Sequence, residues 1–422
     1  MNPTQFPNPV PRFSYPKTFL LGFGFFGVSL IWAIYNAFVP IFLKDFAISS
    51  LLVGFIMTFD NILAVVLQPY IGFLSDHTRT RMGRRMPFIL VGAPLGALFF
   101  VGIPYFKTMG IFWMIFVIIL MNLAMAIFRS PVIALMPDIV PSPQRSKANG
   151  IINFMGGAGA LLAFFVGAML YDKNPVYPFL LGGGALLLSA ALVLAFIREP
   201  AIHRAGASRM EEPAEKVQFG KAFQDLFASL QGLVKAPEKS ELFLLLAIFS
   251  WFCGYGALET FFTSFAHFHL GVPESAGAMT LGYFSLTFML FSIPAGFLGS
   301  KIGRKRTIFA GLVLLIVVLG AVAISSQFAF IRILMVIGGL GWACININSL
   351  PMVVDMVAQE KVGGHTGLYY FFSMAASIAA PPIVGLFIDW MDYPSMIWFS
   401  VVAFLIALLL MTKVKRGEAR PA

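Results

Sequence analysis

Asp60, Arg129 and Glu259 each fall inside a long run of hydrophobic residues. Ionisable groups in such surroundings are costly, so they mark sites of function by default. Asp60 and Glu259 are carboxyls able to take up and release a proton. Arg129 is a fixed cation that can bias Asp60, across a depth gap of roughly 9 Å at about 1.5 Å per residue. Helix tilt and the reach of a long arginine can close that gap. The same runs hold a second set of polar and aromatic side chains: Trp32, Tyr35 and Asn36 within about one turn, Asn61 and Gln68, Asn122, Asn149 and Asn153, Asn346, and Tyr369 with Tyr370. Tyr255 precedes Glu259 by four residues and shares its helix face. Planar amides and acids bond hydroxyl groups, and aromatic rings lie against C–H faces. Together these are the groups that grip a sugar. Any one of them alone reads as an interhelical hydrogen bond. Their spread over both halves of the chain points to a shared central cavity.

The elements that must position them are membrane spans. Of 422 residues, 59% are hydrophobic and 11% charged, against about 25% charged in a soluble domain, and the mean hydropathy is +0.86. A span needs about 20 apolar residues. Such runs occur at 18–43, 50–74, 87–106, 110–136, 148–170, 176–197, 241–266, 275–299, 307–325, 328–354, 364–388 and 393–412. The expected fold is an all-α membrane protein with twelve transmembrane helices. The expected organisation is a cytoplasmic N-terminus (1–17), a six-helix bundle (18–197), a cytoplasmic linker (198–240) with a surface helix near 219–233, a second six-helix bundle (241–412) and a cytoplasmic tail (413–422). The N-terminus lacks a cleavable signal pattern, so the first span is expected to direct its own insertion.

Net charge is +10, but its distribution argues against nucleic acid. With both termini placed in the cytoplasm, 24 of the 29 Lys and Arg residues fall on that side and four on the other, with Arg129 inside a span. That asymmetry is the positive-inside rule, and it predicts a multi-pass protein of the cytoplasmic (inner) membrane. Cys253 and Cys344 lie in apolar runs and read as small buried hydrophobes.

A charged knot, Asp76-His-Thr-Arg79-Thr-Arg81-Met-Gly83-Arg84-Arg85, separates the second and third spans. It recurs more weakly at Gly296-Phe-Leu-Gly-Ser-Lys301-Ile-Gly303-Arg304-Lys305-Arg306, where Ser300 stands in place of the acid. Gly83 and Gly303 are 220 residues apart, and Asp138 and Asp355 are 217 apart, as are Gly150 and Gly367. The chain therefore reads as a parallel repeat of six spans, the plan of many secondary transporters.

Gly72-Phe-Leu-Ser-Asp76 followed by Gly83-Arg84-Arg85 resembles the loop 2–3 signature of the major facilitator superfamily. Glycine lets helices approach, and the acid can cap a helix or pair with an arginine. The resemblance implies a cytoplasmic gate built on Gly72, Asp76, Gly83, Arg84 and Arg85, with Gly303 and Arg304 as its weaker copy. The longer stretch Ser75-Asp-His-Thr-Arg-Thr-Arg-Met-Gly-Arg-Arg-Met-Pro-Phe-Ile89 resembles the loop of the sucrose transporters and proton-associated sugar transporters. So do Trp32-Ala33, Leu123-Ala124, Ser130-Pro131 and Ala134-Leu-Met-Pro-Asp138. This resemblance implies proton-driven uptake of a disaccharide or glucoside. The chain departs from the plant members in helix 4, with Asn122 in place of an aspartate and Ile133 in place of an arginine, while Arg129 appears one turn earlier. A proton carrier must therefore lie elsewhere, with Asp60 first and Glu259 second. Trp32, Tyr35, Asn36, Asn61, Asn122, Asn153, Tyr255, Asn346 and Tyr370 are the expected substrate contacts.

Rival readings are an exporter of a drug or metabolite, disfavoured by the long loop, and a sodium-coupled glycoside symporter. The latter would want paired aspartates in helix 2 where Ala64 and Gln68 stand. Gly22-Phe-Gly24-Phe-Phe-Gly27 matches a dinucleotide fingerprint but lies within a span with no preceding strand. His267-Phe-His269 sits at a span end without further ligands. No hydrolase or metalloprotease motif occurs, so no enzyme activity, cofactor or metal is expected. The expected partners are a small sugar, protons and the lipid bilayer, with the chain acting as a monomer.

Overall fold

In hydrocarbon a peptide group has no water to bond, so each apolar run must close its hydrogen bonds within itself as a helix. The computed structural model describes residues 13–141, 144–199, 230–233, 235, 237–356 and 362–418. Twelve helices in it are long and apolar enough to cross a membrane: α1 Tyr15–Lys44, α2 Ser50–His77, α3 Met86–Lys107, α4 Ile111–Ile139, α5 Lys147–Tyr171, α6 Tyr177–Phe196, α7 Ser240–His269, α8 Glu274–Ile302, α9 Arg304–Ala323, α10 Phe328–Val354, α11 Gly364–Met391 and α12 Pro394–Thr412. Each matches one expected span. Most extend it by up to a turn, because backbone bonding continues into interfacial residues whose polar ends leave the lipid. The linker expected at 198–240 lies largely outside the described residues, as do residues 219–229 of its surface helix; residues 230–233 are helical.

The two halves repeat one packing scheme. α1 lies against α5 and α6, α2 against α4, and α3 against α4 and α6. In the same way α7 lies against α11 and α12, α8 against α10, and α9 against α10 and α12. Helices alternate in direction, so the loops at 78–85 and 303 share one end, here called the basic face. The opposite end is the far face.

The halves meet along α1–α7, α2–α11 and α5–α8. The closest of these contacts lie toward the far face. Gly54 of α2 meets the Pro381 carbonyl, and Gly385 of α11 meets the Ser50 carbonyl, so closely that a Cβ at either glycine would overlap it. Backbone against backbone, the crossing admits no side chain. Asp389 closes it by accepting hydrogen bonds from Ser50 N at 2.7 Å and Leu51 N at 2.9 Å. Those amides head α2, where a carboxylate satisfies otherwise unpaired donors and the helix dipole favours its charge.

Gly385→Val is expected to wedge α2 from α11 at the far face. The strain should amount to about 1–3 kcal/mol, as for other overpacked contacts, and appear as a lower melting temperature of the purified protein in detergent. A wild-type melting curve would show that the crossing backbone yields instead.

Candidate functional site

Two groups of functional side chains stand apart, one at the basic face and one at mid-membrane. At the basic face the chain leaves α2 at His77 and must turn sharply into α3. Gly83 takes φ +121°, a left-handed conformation that glycine adopts without a Cβ penalty. A Cβ here would also strike the Glu199 carboxylate. Glu199, just beyond α6 and 2% exposed, accepts from Arg84 N at 2.8 Å, Arg85 N at 2.7 Å and Met86 N at 3.2 Å. It therefore caps α3 from a distant part of the chain. The arginine side chains then point to Asp138 at the end of α4. Arg84 Nη2 lies 2.6 Å from Asp138 Oδ1, and Arg85 Nε 3.0 Å from Asp138 Oδ2. Arg85 also bonds Asp76, Ser75 and, at 3.2 Å, the Gly72 carbonyl.

The second half carries the reduced copy. Gly303 has φ +101°. Glu418, beyond α12, accepts from Arg304 N at 2.7 Å and Lys305 N at 3.1 Å. Arg304 pairs with Asp355 and donates to the Pro351 carbonyl at 2.8 Å. Ser300 turns back to Phe297 O, so this copy lacks the third carboxylate. Every contact named in either copy stays within its own half, so each network braces one six-helix unit. Glu199 and Glu418 were not among the expected site residues. The repeat holds the signal for them, because they stand 219 residues apart, close to the other repeat offsets.

At mid-membrane the halves enclose a cavity of about 250 Å³. Its lining includes Ser29, Trp32, Arg129 and Phe164 from one half and Tyr255, Glu259, Phe284 and Ser285 from the other. A smaller adjoining hollow holds Asp60, Gln68 and Asn122, with Trp32 and Arg129 shared between the two spaces. Asp60 follows an interruption of α2 at Thr58, whose hydroxyl donates back to Phe55 O at 2.8 Å. Its Oδ1 accepts from Asn61 Nδ2 at 2.9 Å. Asp60 lies within electrostatic reach of Arg129 and Glu259. Arg129 shares its hollow, yet among the described residues the two form no ion pair within 4.0 Å. Glu259 Oε1 accepts from Asn36 Nδ2 at 3.2 Å, a bond between α1 and α7. Tyr255 stacks on Trp342, ring centroids 4.4 Å apart and nearly parallel. The Trp32 Nε1–H is buried without a partner.

The expected contacts thus divide. Trp32, Arg129, Tyr255 and Glu259 line the main cavity, Asp60 and Asn122 the side hollow, and Asn36 and Asn61 hold the two carboxyls. Tyr35 is fully buried behind Trp32, in edge contact with it, and its hydroxyl has no closed hydrogen bond. At about 100° per residue, Tyr35 lies about 60° to one side of Trp32 and Asn36 about 40° to the other. Asn153 is exposed and donates to Asn149 O at 2.9 Å. Tyr370 is 55% exposed and in edge contact with Tyr369. These two and Asn346 line neither space. Ser29 and Ser285 were missed, because a lone serine in an apolar run carries no distinguishing pattern. His267 approaches Glu274 and His269 approaches Asp392, each at 3.5 Å, at the far face. Among the described residues no three His, Cys, Asp or Glu side chains gather as a metal site.

Comparison with known proteins gives the following. The sequence profile of the Major Facilitator Superfamily matches residues 21–285 and 268–422. An uncharacterized MFS-type transporter of Methanocaldococcus jannaschii is 24% identical over 410 residues, 94% of each chain. A sucrose transport protein of Arabidopsis thaliana is 27% identical over 162 residues, 34% of this chain and 27% of that one. The proton-associated sugar transporter A of Mus musculus is 28% identical over 177 residues, 39% and 24% of the two chains. The crystal structure of the nucleoside transporter NupG superposes with a TM-score of 0.72 at 13% identity, covering 95% of this chain and all of that one.

Glu199→Ala leaves three backbone amides at a helix start without their acceptor. A lost cap costs about 0.5–2 kcal/mol, and burial of this one should place it at the upper end. Glu418 does the same work at the surface, so Glu418→Ala should cost less. Melting temperatures of the two variants measure the difference, and equal shifts would show that burial does not set the strength of the cap.

Proposed function

We propose that this chain, which belongs to the major facilitator superfamily and is a membrane transporter, carries out secondary active uptake of a disaccharide or glucoside, driven by protons. The observation that carries this reading is the mid-membrane cavity. It joins aromatic walls, Trp32 on one side and Tyr255, backed by Trp342, on the other, to hydroxyl-bonding groups and the Glu259 carboxyl, with Asp60 in the adjoining hollow. Aromatic faces suit the C–H face of a pyranose ring, while Asn36, Glu259 and Arg129 suit its hydroxyls. The volume, about 250 Å³, falls just below the roughly 300–1,000 Å³ usual for ligand sites. The sequence matches to a sucrose transporter and a proton-associated sugar transporter support the same substrate class. The excess of Lys and Arg supports a cytoplasmic basic face.

Transport proceeds by alternating access. With the halves joined at the far face, the cavity serves the basic face. Rocking of the two halves about the cavity exposes it to the other side. Arg84 and Arg85, braced against Asp76 and Asp138, present a rigid cationic surface that closes on the second half when the basic face shuts.

Asp60 is the proton carrier in this reading. It sits in a hollow beside Arg129, where movement of the arginine with substrate would change how readily the carboxyl holds its proton. Glu259 is the alternative carrier.

Uptake of radiolabelled sucrose into proteoliposomes, with an imposed pH gradient or a sodium gradient, tests the reading. Accumulation above equilibrium is expected with the pH gradient. Accumulation with sodium alone would reassign the cation, and no sugar movement under either would overturn the substrate class. Asp60→Asn is expected to abolish uphill accumulation while sugar exchange persists. Retained accumulation in Asp60→Asn together with its loss in Glu259→Gln would move the coupling role to α7.

Trp32→Ala is expected to weaken sugar binding by at least about 1 kcal/mol, the scale of one hydrogen bond, before any loss of ring contact. Wild-type affinity by calorimetry would place Trp32 in packing instead.

A further inference from the structure

Two side chains are common to the cavity and its side hollow, Trp32 of α1 and Arg129 of α4. Both present donors that nothing in the protein accepts. The Trp32 Nε1–H is buried and unpartnered. Among the described residues the Arg129 guanidinium makes no hydrogen bond and no ion pair within 4.0 Å. The two carboxyls of these spaces are engaged by other groups, Asp60 by the Asn61 amide and Glu259 by the Asn36 amide. Asp60, Arg129 and Glu259 are the charged side chains lining either space. A guanidinium offers five N–H donors and accepts nothing, and an indole N–H only donates. A cation enclosed without acceptors is strongly destabilised. The group that satisfies both side chains must accept without donating and carry negative charge. An ionised carboxylate is such a group.

We propose that the cavity takes an acidic sugar, a glycoside whose carboxylate is held by Arg129, with the Trp32 Nε1–H as a further donor, and whose hydroxyl-bearing ring lies toward Tyr255 and Glu259. That the ligand is a sugar rests on the reading above; the carboxylate does not. The planar fork of a guanidinium matches a carboxylate with two parallel hydrogen bonds, which are charge-assisted and therefore strong. Charge also ties this ligand to a proton. In the empty site the ionised Asp60 faces Arg129 as its counter-charge. A substrate anion takes over the arginine, and an ionised Asp60 left beside it would repel it. A proton on Asp60 removes that repulsion. Anion and proton arriving together leave the net charge of the site as it was, so the loaded and the empty carrier reorient with the same buried charge. A neutral glycoside arriving with a proton adds one positive charge instead.

Methyl glucoside and methyl glucuronide test it, since they differ at a single carbon, a hydroxymethyl group in one and a carboxylate in the other. Calorimetry on the full chain in detergent is expected to show the glucuronide bound about tenfold more tightly, the equivalent of one hydrogen bond to a charged group. Arg129→Gln should remove that preference. Arg129→Lys, which keeps the charge but loses the fork, should retain part of it. In proteoliposomes, glucuronide entry should follow an imposed pH gradient and ignore an inside-negative potential, because the charges of proton and anion cancel. Glucoside entry should be quickened by both. Cyclohexanecarboxylate, a carboxylate on a ring without hydroxyls, should bind weakly. Equal binding of glucoside and glucuronide by the wild type, or an undiminished preference in Arg129→Gln, would overturn the acidic sugar and leave the sugar reading standing. Glucuronide entry that responds to the potential as glucoside entry does would overturn its pairing with a proton. If cyclohexanecarboxylate binds as tightly as the glucuronide, the carboxylate site is supported and the sugar reading fails. Binding of none of the three would overturn both.

Discussion

Inside the hydrocarbon core no water stands ready to take an amide hydrogen or solvate a charge, and nearly every feature of this protein follows from that shortage. The backbone closes on itself in twelve helices. Where helices cannot close their own ends, something else must. Glu199 and Glu418 come from beyond α6 and α12 to satisfy the first amides of α3 and α9. Asp389 does the same for α2 from across the interface between the halves. The three carboxylates use one physical device, an anion on unpaired N–H groups at the positive end of a helix. Two of them hold a half together, and the third holds the halves to each other.

The duplication explains the architecture and its exceptions explain the chemistry. Equivalent helices pack in equivalent pairs, and the two basic loops turn on equivalent glycines. Symmetry breaks at a few positions. Asp76 has Ser300 as its counterpart, which leaves the second network without its third carboxylate. Asn36 has Glu259 as its counterpart, and a donor facing an acceptor across the pseudo-twofold makes the cross-half bond that two identical groups would make less well. Asp60 and Arg129 belong to the first half alone, so the ionisable hollow is one-sided.

Much of this was legible in the sequence. Hydropathy fixes each helix because a span is defined by length and apolarity alone, and the repeat is visible as recurring offsets of glycines and aspartates. The charged residues of the mid-membrane site were legible for the same reason: Asp60, Arg129 and Glu259 stand out against an apolar background. The aromatic and amide contacts were only half legible. Trp32 and Tyr35 differ by three residues and look alike in sequence, yet one lines the cavity and the other is buried behind it.

What the sequence determined by itself was therefore whatever depends on one helix at a time: the number of spans, their order, the repeat and the presence of buried charge. Tertiary structure alone decided the rest. Asp60 and Arg129 share a hollow without pairing, because depth along separate helices does not give the rotation that aims their side chains. Glu199 serves α3 from 115 residues away, and Asn36 meets Glu259 across 223. Neither partner is encoded locally, because the contact exists only once tilted helices from different parts of the chain are packed, and packing is set by shape summed over the whole interface.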